Sequence, residues 1–319
     1  MKVTIAADGF LDPAETPALP YRLDFVAYDD VPALKRSLED ADALVTRRAD
    51  VNDALLEHAG RLKLVQQVGT GTDRIDFKAI ERKGIAAANT PGAPSNAVVE
   101  HAFLLMLAAL RNLPAQIDAI RAGKWSGTEV WQGREIAGAT VGIVGFGAIG
   151  SEIAKRAVAF GAKVMVTTRT IPCAPWPSVE FLDLNALLKR SDILVLAPAL
   201  TPRTRGMIGA PELALMKPTA LLVNVSRGAI VNEPALIAAL EAGQLRGAAL
   251  DAFVTEPLPA DSVLRHMPNV LATAHTAGSS EQSRQRIWDQ IVENLARLAD
   301  GRIPRNIVAG SVPAAQTAN

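Results

Sequence analysis

One cysteine, Cys173, stands in a chain of 319 residues. That excludes a disulfide within the chain and any zinc site built on paired thiolates, and no bound metal is expected. A dominant charge sign is missing as well, because 33 Lys and Arg face 33 Asp and Glu. The balance offers no general attraction to nucleic acid or to an anionic membrane surface. Spanning a bilayer takes about 20 apolar residues, whereas the greasiest stretch, Ala102 to Leu110, has nine. The opening MKVTIAADGF lacks the basic, hydrophobic and small-residue order of a signal peptide. Internal repeats and low-complexity tracts are absent too. These absences leave a soluble protein of the reducing cytoplasm as the expectation. What the chain does have is apolar material, 49% of its residues, at a length that leads us to expect two domains.

Short apolar runs alternate with helical patterns along the chain, which predicts parallel α/β architecture. Early strand candidates are Val3–Ala7, Ala43–Thr46, Leu64–Val68 and Ile85–Ala88. A helix is expected from Asn96 to Leu110, introduced by Pro94 and Ser95. A second series of six strand candidates follows: Thr140–Val144, Val164–Thr167, Ile193–Ala197, Leu221–Val225, Ala248–Asp251 and Val270–Thr273. Six strands separated by helices match a doubly wound nucleotide-binding sheet in number. The segment Glu281–Asp300 reads as one amphipathic helix, ended by Gly301 and Pro304.

Within the second series, Thr140–Val144 runs into Gly145-Phe-Gly147-Ala-Ile-Gly150 and then into a helical pattern over Ser151–Phe160. Gly145 permits a tight turn, Gly147 lets a pyrophosphate approach the backbone, and Gly150 lets the helix pack close to the strand. The first helical turn, with Ala148 and Ile149, offers N–H groups and a positive dipole end to phosphate. An NAD site places Asp or Glu about 20 residues further on, to bind the ribose 2′-hydroxyl. This chain has Thr168, Arg169 and Thr170 there. A guanidinium and hydroxyls suit a 2′-phosphate, so NADP(H) is the expected cofactor and NAD(H) the lesser alternative.

Three polar residues fall just beyond successive late strands, on the edge where open α/β sheets hold their ligands. They are Arg227, Glu256 and His275. Each alone has an ordinary reading as a turn former, a solvated loop carboxylate or a half-buried histidine. Beside a nicotinamide site they make a set suited to ketone reduction. Hydride arriving at a 2-keto carbon develops charge on the oxygen, which a histidine can protonate. A carboxylate on the other ring nitrogen would hold the tautomer, and a guanidinium would grip a substrate carboxylate.

Several separate motifs in one order then carry a family resemblance. They are Val68-Gly-Thr-Gly-Thr-Asp-Arg-Ile-Asp76, Asn89-Thr-Pro-Gly92, Glu100-His101, the glycine loop, Asn224-Val-Ser-Arg-Gly228, Ala249-Leu-Asp-Ala-Phe-Val-Thr-Glu-Pro257 and Thr273-Ala-His275. From the first strand to Val308 the chain resembles the D-isomer-specific 2-hydroxyacid dehydrogenases. The resemblance implies a flavodoxin-like substrate domain, residues 1–96 and 287–319, interrupted by a Rossmann-type cofactor domain, residues 97–286, with a cleft that closes on binding. It makes His275 the acid/base, Glu256 its partner and Arg227 the substrate clamp. Asp251 would face the nicotinamide carboxamide, with Val225 and Gly278 also on the cofactor. The Val68 and Gly69 N–H groups, with Thr70, would take the substrate carboxylate, and Arg47 would lie near the site's mouth. A homodimer through the cofactor domain is implied as well.

Thr168-Arg169 and Trp131 resemble the NADPH-preferring glyoxylate/hydroxypyruvate reductase branch, in which such a tryptophan reaches the neighbouring subunit's site. An ordinary packing role for Trp131 stands equally. The substrate expected is a small 2-keto acid or its 2-hydroxy product. Two other classes stay open: a phosphite- or formate-type dehydrogenase, the latter opposed by Glu256 where formate enzymes carry Gln, and a nucleotide-sensing corepressor-like protein. His101 reads as a helix cap or an interdomain contact, Trp125 and Trp288 as packing residues, and His58, His266 and Cys173 as residues without a role.

Overall fold

The computed structural model describes residues 1–14, 16–125, 133–173 and 176–311. In chain order they form β1 (Lys2–Ala7), β2 (Arg22–Ala27), α1 (Val31–Leu38), β3 (Ala43–Thr46), α2 (Asp53–Leu56), β4 (Leu64–Gln67), α3 (Phe77–Arg82) and β5 (Ala86–Ala88). Next come α4 (Ser95–Leu110), α5 (Leu113–Arg121), β6 (Thr140–Val144), α6 (Ala148–Ala159), β7 (Lys163–Thr167), β8 (Val179–Phe181), α7 (Leu184–Arg190) and β9 (Ile193–Leu196). The last are α8 (Ala210–Leu215), β10 (Leu221–Asn224), α9 (Glu233–Glu241), β11 (Gly247–Leu250), β12 (Val270–Ala272), α10 (Glu281–Ala299) and β13 (Ile307–Ala309). They separate into two compact units, Met1–Pro94 with Ser280–Asn319, and Ser95–Ser279.

The first unit holds a sheet in the order β13-β5-β4-β3-β1-β2. Its first five strands pair in parallel and β13 joins β5 antiparallel. Taken by themselves those five run 2-1-3-4-5, the flavodoxin-like doubly wound order. The inner strands are buried on both faces and correspondingly apolar, as ALVT in β3 and AAA in β5. Short polar residues start the helices: Asp30, Asn52 and Asp76 each accept a first-turn N–H. Ile287, Trp288, Ile291, Leu295 and Leu298 of α10 share one core with Val3, Ile5, Val45 and Leu64. The boundary expected after residue 286 therefore falls earlier, at Ser279/Ser280. Ser280 caps α10 by accepting the Ser283 N–H at 3.1 Å, and the helix packs as one element.

The second unit holds an all-parallel sheet, β12-β11-β10-β9-β6-β7-β8. Counted from β6 this is 3-2-1-4-5-6 with a seventh strand beyond, the Rossmann arrangement. Continuous apolar runs such as ILVL in β9 are fully buried. α4, α6 and strands β6, β7, β9 and β10 contribute to one core cluster, and α8 and α9 contribute to another. The sheet has one strand more than expected, since β8 is a half-exposed edge strand of three residues, VEF. The order reverses between β6 and β9, and such a switch point opens a crevice at the strands' carboxyl ends.

Candidate active site

Within the second unit, the residues singled out by sequence reach the carboxyl edge of this one sheet. The glycine loop follows β6, Thr168–Thr170 follow β7, Val225–Gly228 follow β10, Asp251 and Glu256 follow β11, and His275–Gly278 follow β12. The parallel topology makes that assembly automatic, because every strand ends on the same side.

Local hydrogen bonds shape the turn that carries Arg227. Buried Asn224 donates from Nδ2 to the Arg227 carbonyl at 2.9 Å and accepts the Ser226 N–H at 3.0 Å. The Ser226 hydroxyl donates to the Pro198 carbonyl. A Cβ on Gly228 would lie 1.9 Å from the carbonyl carbon of Phe253. Only glycine lets the Arg227 turn nest against the loop that leads to Glu256.

Glu256 accepts the Phe253 N–H on Oε1 at 3.0 Å and His275 Nδ1 on Oε2 at 2.7 Å. Burial, the largest single influence on this carboxyl, pushes its pKa up. The His275 hydrogen bond and charge, the Phe253 N–H and the Arg227 charge outweigh it, and hold the group below its ordinary 4.5. An ionised carboxylate only accepts, so Nδ1 carries a hydrogen and Nε2 is the nitrogen at which the ring gains or loses its other proton. His275 itself sits at φ +55°, a left-handed conformation that a non-glycine residue adopts only when its surroundings hold it.

Asp251, expected to face the nicotinamide carboxamide, accepts hydrogen bonds from its own chain. It is 1% exposed, and both oxygens are engaged within the chain. Oδ1 accepts from the Thr273 hydroxyl at 2.7 Å and the Thr276 N–H at 2.9 Å, and Oδ2 from the Ala277 N–H at 2.8 Å. His101 Nε2 lies 3.5 Å from Oδ1 and 3.0 Å from the Thr273 hydroxyl. His101 is thus not a helix cap, and nothing in its local sequence announces these partners.

In the first unit, Arg47 and the Val68–Thr70 loop lie beyond the carboxyl ends of β3 and β4. Arg47 pairs with Asp8 at 3.6 Å and stands over the Phe10 ring at 5.5 Å. The N–H groups expected to receive a carboxylate are donated within the chain. Val68 bonds the Thr46 carbonyl at 2.8 Å, extending the β3–β4 ladder, and Gly69 bonds the Thr90 hydroxyl at 2.8 Å. Both N–H groups therefore have an acceptor within the chain. Thr70 is exposed, and Trp131 lies outside the described residues. Trp288 is buried as expected, whereas Trp125 is 89% exposed. Among the described residues no group of three or more His, Cys, Asp or Glu side chains is placed to hold a metal.

Residues 103–277 match the family model described as D-isomer specific 2-hydroxyacid dehydrogenase, NAD binding domain. The chain belongs to the D-isomer-specific 2-hydroxyacid dehydrogenase family. This dehydrogenase is 39% identical over 284 residues to the glyoxylate reductase of Thermococcus litoralis, covering 86% of each chain. It is 37% identical to the hydroxypyruvate reductase of Thermotoga maritima, over 82% of this chain and 86% of that one. Against D-3-phosphoglycerate dehydrogenase of Methanocaldococcus jannaschii, identity is 38% over 86% of this chain, which spans 53% of that longer protein. Among solved structures, D-lactate dehydrogenase of Aquifex aeolicus, complexed with NAD and lactic acid, superposes with TM-score 0.87 at 27% identity, covering 97% and 99% of the two chains.

The glycine loop of the dehydrogenase fits a nicotinamide dinucleotide on its own terms. A Cβ on Gly145, at φ +93°, would come within 2.9 Å of the Pro198 backbone, and one on Gly150 within 2.0 Å of the Gly145 carbonyl oxygen. Internal packing thus demands both glycines. A Cβ on Gly147 would meet nothing within 4 Å, so the fold itself does not ask for glycine there. Gly147 precedes a helix of 12 residues and caps it without a side-chain bond. An open backbone over a helix start is what an approaching pyrophosphate requires. The side chains of Ile149 and Val225 pack into the core, which limits their part in a cofactor site to backbone and wall.

Proposed function

We propose that this oxidoreductase reduces a small 2-keto acid, glyoxylate or hydroxypyruvate among them, to the D-2-hydroxy acid, and that it prefers NADPH to NADH. The observation that carries the reading is the 2.7 Å bond between His275 Nδ1 and the Glu256 carboxylate, close enough to Arg227 for its charge to act on Glu256. When bound, the nicotinamide cofactor supplies the hydride. His275, its Nδ1–H directed at Glu256, gives a proton from Nε2 to the carbonyl oxygen, and takes it back in the reverse direction. Arg227 holds the substrate carboxylate and stabilises charge on the oxygen. Arg47, held against Asp8 and Phe10, is the further substrate contact proposed.

Gly145, Gly147 and the first turn of α6 would bind the pyrophosphate. Thr168, Arg169 and Thr170 would take the 2′-phosphate. Arg169 and Thr170 are exposed at the end of β7, with no carboxylate among the three. Such an edge repels a 2′-phosphate less than an aspartate would. Gly278 would lie along the cofactor.

The protein is proposed to work in the cytoplasm as a homodimer. No single described helix is long and apolar enough to cross a membrane. α5 buries none of its residues, and Leu113, Ile117 and Ile120 on it, with Leu104 and Leu107 of α4, are exposed. That apolar face suits a second copy of the chain.

Initial rates of NADPH and NADH oxidation with glyoxylate, hydroxypyruvate, pyruvate and phenylpyruvate test the reading. Faster turnover with NADPH on glyoxylate or hydroxypyruvate is expected. No oxidation of either cofactor across the panel overturns it and favours phosphite-type chemistry or nucleotide sensing. His275→Ala should remove nearly all turnover while NADPH binding, followed by fluorescence, persists.

A further inference from the structure

We propose that His101, midway along α4, is a positioning residue for proton transfer at His275, acting through Thr273 and Asp251; the inference rests on His275 being the acid/base. His101 belongs to a helix whose Ala102, Phe103, Leu105 and Met106 are buried, and its own side chain is 14% exposed. A polar ring so enclosed is stable only with hydrogen-bond partners. Its partners lie in the loop that follows β12 and at the end of β11.

The direction of each bond follows from the count of hydrogens. The Thr273 hydroxyl has a single hydrogen and gives it to Asp251 Oδ1 at 2.7 Å. Toward His101 Nε2, at 3.0 Å, that oxygen can only accept. The Asp251 carboxylate, at 3.5 Å, can also only accept. Nε2 of His101 therefore carries a hydrogen and is the donor of the group.

Asp251 transmits the constraint to the acid/base. Its two oxygens receive the N–H groups of Thr276 and Ala277, the two residues that follow His275 in the left-handed turn. Glu256 orients the His275 ring from one nitrogen, and Asp251 holds the backbone from which the ring projects. His101 faces Asp251 from α4, and Thr273, Thr276 and Ala277 face it from the loop after β12. Of these only His101 has an ionisable side chain. Burial is the largest influence on the Asp251 carboxyl and pushes it up, but His101, Thr273 and the two N–H groups outweigh burial and keep it below its ordinary 3.8. Without the donor at residue 101, burial regains ground, and protonation of Asp251 at higher pH would slacken the His275 turn.

Steady-state reduction by His101→Phe and His101→Gln, measured from about pH 5 to 9 beside wild type and His275→Ala, tests this. Phenylalanine keeps the ring volume without a donor, and glutamine offers an N–H at similar reach. His101→Phe should lose on the order of 10- to 100-fold in kcat, with KM and NADPH affinity changed less than about threefold. It should also gain an acid limb in the kcat profile. His101→Gln should recover kcat to within about fivefold of wild type and lose that limb. Should His101→Phe not fold, Thr273→Val breaks the same relay and carries the same expectation. A wild-type kcat and pH profile in His101→Phe, with His275→Ala inactive, overturns this proposal alone. So does a His101→Gln as impaired as His101→Phe, with cofactor affinity and melting temperature falling together, since that marks a purely structural residue. An active His275→Ala would instead remove the acid/base reading on which it rests.

Discussion

Replacing Glu256 with glutamine keeps the side chain's volume and removes its charge. Two donors converge on this carboxylate, the Phe253 N–H at 3.0 Å and His275 Nδ1 at 2.7 Å. Glutamine has one oxygen for the two of them. If the oxygen keeps Phe253, the amide NH2 faces Nδ1, which can then carry no hydrogen, so the imidazolium that gives its Nε2 proton to the substrate is disfavoured. If the oxygen keeps Nδ1, the Phe253 N–H faces another donor. Either outcome removes a hydrogen bond to a charged group, about 1.5–3 kcal/mol. If all of it is felt in the transition state, kcat falls by roughly 10- to 10²-fold. The assay is steady-state 2-keto acid reduction with NADPH affinity titrated separately, and affinity should hold. The carboxyl lies below its ordinary 4.5 in the folded chain. Its contribution to stability is therefore whole above that value and is lost as pH falls through the folded pKa. Urea unfolding should show wild type ahead of Glu256→Gln near neutral pH and the gap closing below about pH 4.5. A variant with wild-type kcat, or a gap that persists undiminished into acid, refutes the reasoning.

The other expectations are briefer. Arg169→Asp should move preference from NADPH to NADH in kcat/KM, and unchanged selectivity would refute the 2′-phosphate assignment. Gly147→Ala should leave the melting temperature where it is and weaken NADPH binding at least about tenfold, because its new Cβ meets nothing within 4 Å except an arriving ligand. Gly150→Ala should instead destabilise by about 1–3 kcal/mol or more in thermal unfolding, since its Cβ would press on the Gly145 carbonyl; equal effects of the two would contradict the division of labour. Sedimentation should give twice the chain mass of 33.7 kDa, and Ile117→Glu with Ile120→Glu should halve it.

Much of this molecule is legible locally. An apolar run such as ILVL, or a strand leading into Gly145-Phe-Gly147-Ala-Ile-Gly150, expresses its conformation through residues adjacent in sequence, so most inner strands and the dinucleotide loop could be read directly. Three of the four edge strands could not. RLDFVA in β2 interleaves charge with apolar residues, and VEF in β8 and IVA in β13 are too short to show a period. Motif order named Arg227, Glu256 and His275 and the residues expected around them.

The roles of other polar groups depend on partners far along the chain. The Gly69 N–H reads as a carboxylate donor, and only the fold shows that Thr90, 21 residues on, accepts it. Asp251 reads as a cofactor contact, and only the fold shows its oxygens accepting from Thr273, Thr276 and Ala277. His101 looks inert on its helix, yet its partner Thr273 is 172 residues away. Most inner strands and the nucleotide loop thus belonged to the sequence alone, because strand preferences and glycine turns act over a few residues. Which donors and acceptors are already satisfied belonged to the tertiary structure. A hydrogen bond depends on a few tenths of an ångström between atoms that only the folded sheet brings together.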